Sequence, residues 1–248
     1  MINLNSKKII EEVMIPLYDK ILQNKEVNGT VELIGKSIIL DPAQSELAYG
    51  ELRPFNHKYA KQEEDWYESL DRCIKGHEGI ENNKTWSSIA SKNGMVNSNY
   101  GYLVYAKRTG GESQYNFALE SLIDSYKDGN SGRQSVIYYA GPDMHLIWND
   151  NINAKHDFTC TFNTQHFIRD NKLIYIVNQR SADLIFGVTY DFHHHCRVYQ
   201  SLIKDLKNNG IDIENGYIQM NFGSLHVYER HFNLIKNIVE TLVNNLEG

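Results

Sequence analysis

The chain has 248 residues, 41% of them apolar and 23% charged, enough to bury a sizeable core in one domain or two. A formal charge of −6 argues against a nucleic-acid polymer as partner, since a phosphate backbone calls for a dense basic surface, but leaves room for a single nucleotide. No apolar run approaches a membrane span, the N-terminus lacks a signal-peptide core, and Cys73, Cys160 and Cys196 are too few and too scattered for a disulfide framework, so a soluble cytoplasmic protein is expected.

Along the chain, Ile9, Ile10, Val13, Met14, Leu17, Ile21 and Leu22 fall at helical spacing within 6–22. Residues 31–40 read as a strand. Residues 62–70 read as a helix with Glu63 and Trp66 on one face. Asn82-Asn83, Asn93-Gly94 and Gly110-Gly111 mark turns, and 136–139 is a short apolar strand. Phe158, Cys160 and Phe162 alternate with polar residues, and a second strand at 173–177 follows a turn at Asp170-Asn171, which predicts a hairpin. A helix is expected over 191–206 and another at the end, with Phe232, Ile235, Val239, Leu242 and Leu246 as its apolar stripe. With no repeat and no convincing linker, a single α+β domain over 1–248 is the simplest organisation.

Sixteen Tyr, nine Phe and three Trp supply what a pocket for a flat heterocycle draws on. Cys160 is the candidate nucleophile, and a cation such as Arg180 would hold its thiolate ionised if the strands pair as the hairpin suggests. Spacing alone favours the plainer reading, a small core residue in an apolar strand. Asp191 has a plain reading too, as a helix N-cap, and Glu63-Glu64-Asp65 as the acidic first turn of a helix. His193-His194-His195-Cys196 invites a metal, but successive helical residues point about 100° apart and cannot converge on one ion. His194 or His195 is better placed beside Asp191. Lys107-Arg108-Thr109-Gly110-Gly111 lacks the spacing of a phosphate loop and reads as a solvated turn.

Several segments in order resemble the thymidylate synthase superfamily. Asp157 to Gln165 looks like its nucleophile strand, with Thr161 after the cysteine, as in the phage deoxycytidylate hydroxymethylases, where thymidylate synthases usually have His. Gln179-Arg180-Ser181-Ala182-Asp183, ending at Asp191, resembles the QRSxD…G…N signature, with Asp in place of Asn. His226 and Tyr228 match an HxY motif, Glu63 a helical Glu, and Trp86 with Asn97-Ser98-Asn99-Tyr100-Gly101 a W…NxxYG segment. Together these span roughly 31–235.

The resemblance implies a mixed β-sheet packed with helices, whose sheets form a homodimer interface. It also implies 5,10-methylenetetrahydrofolate as one-carbon donor, a pyrimidine nucleoside monophosphate as substrate, and no metal. Catalysis would fall to Cys160, Glu63 and Asp191. Arg180, Ser181, Asp183, His226, Tyr228, Arg133 and Gln165 would bind nucleotide. Trp86, Asn99, Tyr100 and Asp183 would line the folate and water site. An amide at position 191 suits uracil O4 and N3–H, whereas a carboxyl suits the reversed pattern of cytosine. The expectation is therefore a cytidylate 5-hydroxymethylase, on dCMP or CMP, with uridylate methylation or hydroxymethylation, or a non-catalytic nucleotide-binding paralogue, as alternatives.

Two departures stand out. The family's Arg-Arg pair, donated across the dimer to phosphate, is here Gly132-Arg133, which removes one bidentate guanidinium. Arg53, ten before Glu63, is a candidate to help bind phosphate or the folate glutamate. The expected tail beyond the last helix is also absent, which leans toward water entry and hydroxymethylation.

Overall fold

A computed structural model describes residues 2–108, 110–141 and 157–247, with side chains through residue 242. The chain folds into two compact units, one made of Met1–Phe55, Gln179–Gln200 and Asn215–Gly248, the other of Asn56–Asn178 and Ser201–Glu214.

In the first unit the N-terminal helical run starts under an Asn3 cap with α1 (Leu4–Ile9), widens into a π segment (Ile10–Met14), and continues as α2 (Ile15–Leu22). Ile9, Ile10, Val13, Met14 and Leu17 are fully buried, whereas Leu22 is exposed. Strand β1 (Thr30–Leu40) pairs antiparallel with β5 (Glu214–Tyr228). Helix α7 (Gly187–Asn208) begins in this unit, and the terminal helix α8 (Phe232–Glu247) packs on α2 and the π segment, with Ile235, Ile238 and Val239 buried. The Leu246 side chain predicted for that stripe lies outside the described residues.

The second unit holds α3 (His57–Glu68), α4 (Lys84–Ile89), α5 (Tyr100–Tyr105), α6 (Gln114–Lys127), β2 (Val136–Tyr138) and β3 (Thr161–Arg169). Helix α5 packs on α3 at Gly101, where an added Cβ would sit 2.0 Å from the Tyr67 carbonyl oxygen. Helix α6 covers β2 and β3. Strand β4 (Lys172–Asp183) follows β3 through Asp170-Asn171, both at positive φ (49° and 59°), the pair of left-handed residues that a two-residue hairpin turn requires.

The five strands form one sheet in the order β1-β5-β4-β3-β2. β2 and β3 are antiparallel. β5 runs in the direction of β4: Glu214 N–H donates to Asn171 O at one end, and Leu184 N–H donates to His226 O at the other. Parallel neighbours need a long crossover, and α7 supplies it. The fold is therefore α+β with a mixed five-stranded sheet, as expected.

Several boundaries need correction. α3 starts at His57, under an Asn56 cap, rather than at 62, and Leu70 lies beyond it at positive φ (56°). The strand read as alternating from Phe158 starts only at Thr161, and the phase of its alternation is inverted. Asp157, Thr159 and Thr161 are buried while Phe162 is 40% exposed, so the polar residues, not the apolar ones, face inward before the strand begins. Helix α7 starts at Gly187 rather than 191, and β2 stops at Tyr138 rather than 139.

Candidate active site

In the first unit, α7 carries Asp191 in its second turn, so the N-cap reading fails. Gln179 on β4 is buried and donates from Nε2 to Asp191 Oδ2 at 2.7 Å. Burial pushes the Asp191 carboxyl up to about 7, although the Gln179 amide pulls the other way. A carboxyl poised there exists in both protonation states near neutrality. It can accept hydrogen bonds in either and donate one in the neutral form. His194 and His195 lie three and four residues on, on the same helical face and buried. Burial lowers His194 to about 3, so its ring is neutral at physiological pH.

Asp183 closes β4, and its Oδ1 accepts from Ile185 N–H (3.0 Å). His226 on β5 sits opposite Glu32 of β1, and its ring stands at 88° to that of Tyr228. Burial lowers the His226 pKa, opposed by the charges of Asp183 and Glu32 and assisted by Arg180. The charges of Arg180 and Asp183 thus both bear on the His226 ring. Gly223 lets the β5 backbone pass close to β4 here, because an added Cβ would lie 2.6 Å from the Arg180 carbonyl oxygen. Ser181 is half-buried beside them in sequence.

Arg53 donates from Nη2 to Ile185 O (3.2 Å), and its guanidinium lies 5.1 Å above the Phe186 ring. Phe186 is 46% exposed, and His231 meets its edge at 5.2 Å. An open aromatic face is thereby bordered by cationic and imidazole groups.

In the second unit, Glu63 is buried in the middle of α3, not in a first turn. Tyr59, one turn earlier, donates from its hydroxyl to Glu63 Oε1 (2.7 Å) and accepts from Trp86 Nε1 (3.0 Å). Trp86 packs edge-on against Trp66 with centroids 4.9 Å apart. The structure thus joins two predicted residues, Glu63 and Trp86, through Tyr59, which sequence reading passed over. The signal was available, since residues four apart on a helix are neighbours.

Asn99 is fully buried as the N-cap of α5, accepting from Tyr102 N–H (2.7 Å) and donating to Asp71 O (2.9 Å) and Trp66 O (3.2 Å). The Tyr100 hydroxyl accepts from Thr161 N–H (3.3 Å), next to the half-buried Cys160.

Gln165 donates to the Arg133 carbonyl (2.9 Å), so it anchors the loop that carries Arg133. Arg169 secures the same loop by donating to Asn130 O and to Gly132 O (3.1 Å). Gly132 itself is imposed by packing, because an added Cβ would lie 2.5 Å from Ser125 Cβ. Among the described residues, no group of His, Cys, Asp or Glu is arranged to hold a metal ion. Arg108 forms a turn with Glu112 (2.9 Å), in keeping with the solvated-turn reading; Thr109 of that segment lies outside the described residues.

The sequence profile of thymidylate synthase matches residues 7–246, and the chain belongs to the thymidylate synthase family. Within it, the chain is 34% identical over 208 residues to the deoxycytidylate 5-hydroxymethyltransferase of Enterobacteria phage T4, covering 83% of this chain and 78% of that protein. The phage T6 enzyme of the same name is also 34% identical, over 209 residues and with the same coverage. The thymidylate synthase of Bacillus phage phi3T is 24% identical over 168 residues, 66% of this chain and 56% of that one. In fold, the chain is similar to thermostable thymidylate synthase A from Bacillus subtilis, with a TM-score of 0.61 at 21% identity, covering 91% of this chain and 83% of that one.

Proposed function

We propose that the protein is a folate-dependent cytidylate 5-hydroxymethyltransferase. The observation that carries this reading is Asp191, held by Gln179 and poised near neutral pH by burial. In its neutral form the carboxyl donates to cytosine N3 and accepts from the N4 amino group. The ionised form, which only accepts, still takes a hydrogen bond from the cytosine N4 amino group but has no donor for uracil O4, and this is where the two rings part. The phage relatives named as deoxycytidylate 5-hydroxymethyltransferases support the same choice.

Cys160 adds to C6 of the pyrimidine, which makes C5 nucleophilic. Asp191 stabilises the charge that then develops on the ring nitrogen. Glu63, oriented by the Tyr59 hydroxyl, orders the water that completes the hydroxymethyl group and moves its proton. Arg180 and Ser181 take the phosphate, His226 and Tyr228 the sugar 3′-hydroxyl, and Gln165 holds the Arg133 loop. Methylenetetrahydrofolate supplies the one-carbon unit. The open Phe186 face with Arg53 beside it suits an aromatic acid of this kind. Asp183, Trp86 and Tyr100 keep their proposed roles toward folate and water, and Asn99, fully buried as a helix cap, acts through the turn it holds. The working form is a homodimer in which Arg133 serves the partner's phosphate.

The experiment is mass spectrometry of the products from dCMP, CMP, dUMP and UMP, each incubated with protein and methylenetetrahydrofolate. A hydroxymethyl product from a cytosine nucleotide supports the reading, and the better of dCMP and CMP names the sugar. A methyl product, or a uracil preference, overturns it.

A further inference from the structure

A nucleophile works only if its backbone is fixed, and the segment bearing Cys160 is tied down through a buried acid to which no role has been given. Asp157, three residues before Cys160, is 3% exposed. Its Oδ2 accepts from the backbone N–H groups of Asn97 (2.6 Å) and Ser98 (2.8 Å), and its Oδ1 from the Ser98 hydroxyl. Its carbonyl accepts from Asn97 Nδ2 (3.1 Å). Arg72 braces the far side, donating to Val96 O (2.9 Å) and Asn97 Oδ1 (2.5 Å).

On the other side of the cysteine, Thr161 N–H donates to the Tyr100 hydroxyl (3.3 Å). Thr159 and Thr161 are 1% and 0% exposed, with the half-buried Cys160 between them. One stretch, 97–100, therefore grips the chain three residues before Cys160 and one residue after it. An acid is a costly group to bury, and here its hydrogen bonds all converge on that grip. Burial also holds the Asp157 carboxyl above the usual range, against the pull of Ser98, Asn97 and Arg72.

We propose that Asp157 is a positioning residue that sets the location of Cys160 Sγ by clasping its strand entry to residues 97–100. The proposal rests on Cys160 being the nucleophile, and the test separates the two. Three quantities are read on the full-length protein: the rate of Cys160 alkylation by peptide mass spectrometry, kcat, and KM for nucleotide.

In Asp157→Ala, alkylation of Cys160 is expected to change with kcat, which falls about tenfold to a hundredfold for a displaced reacting atom, while KM shifts less than about threefold. Asp157→Asn restores most of both, because its amide oxygen still accepts from the two N–H groups and its NH2 donates to the Ser98 oxygen. Should the alanine variant not fold, Ser98→Ala removes one clasp bond and is expected to give a smaller loss of the same kind.

A folded Asp157→Ala or Ser98→Ala protein with wild-type alkylation and kcat overturns the proposal. So does a loss that merely tracks the unfolded fraction in a thermal melt. If Cys160→Ser costs the wild-type enzyme nothing, the parent reading fails instead, and the alkylation rates still decide whether Asp157 positions the thiol.

Discussion

Asp191 and Gln179 are the residues on which substrate choice turns. Asp191→Asn is expected to cut kcat/KM for the cytosine nucleotide about a hundredfold and to raise it for the uracil nucleotide, since both hydrogen-bond roles reverse. Competition between dCMP and dUMP in one tube checks this. The pH dependence follows from the raised carboxyl: neutral Asp191 is populated below about 7, so kcat/KM for cytosine should fall as pH rises through that value. Gln179→Leu removes the group that pulls the carboxyl down, so the same fall should move to higher pH. A pH–rate profile of wild type, Gln179→Leu and Asp191→Asn, the last without this limb, separates Asp191 from other titrating groups.

At the level of helices and loops, two glycines are fixed by close approach rather than by backbone conformation. Gly101→Ala drives a methyl to 2.0 Å from the Tyr67 carbonyl and should cost about 1–3 kcal/mol or more, read as a lowered Tm, because α5 must part from α3. Gly132→Arg, which rebuilds the missing Arg of the pair, meets Ser125 and should likewise lower Tm without improving nucleotide affinity in equilibrium binding.

The legible parts of the sequence are those with local causes. Asp170-Asn171 announced its hairpin because a two-residue turn demands left-handed residues. The helix bounds were harder. α7 opens on Gly187-Val188-Thr189-Tyr190, residues with little helical preference that are nevertheless drawn into the helix, Val188 and Thr189 being fully buried there. Likewise the phase at Cys160 is set by the hydrogen bonds of Asp157 and Thr161, which outweigh the apolar alternation of Phe158 and Phe162. The Gln179–Asp191 contact, twelve residues apart, left no periodic mark at all.

For the whole molecule, acid stability is set by buried imidazoles. His166, bonded to Ser135 and Thr164, and His194 are both lowered to about 3 by burial, while in the unfolded chain they take up protons below about 6.5. These two rings therefore cost stability as pH falls from about 6.5 toward 3, at roughly 1.4 kcal/mol per pH unit each, while Asp191, which takes up its proton near 7 only in the folded chain, offsets about one of them down to about 4. Urea melts from pH 7 to 4 should show the slope, and His166→Gln should lessen it. The proposed dimer has its own test: mixing equal amounts of Arg133→Ala and Cys160→Ser should restore roughly a quarter of wild-type sites, since half the dimers would be mixed and each would hold one intact site.

The two-residue turn at Asp170-Asn171 reaches well beyond its own corner. Side chains alternate from one face of a strand to the other, so a single inserted residue there would either loop out or re-thread β3 by one step. Re-threading would carry the cysteine at the head of β3 to the opposite face, although nothing near it had been altered. Across lineages, then, this turn should tolerate exchange of its two residues for others that accept a left-handed backbone, yet resist any change in length. A comparison of turn lengths among relatives that keep the cysteine would show it.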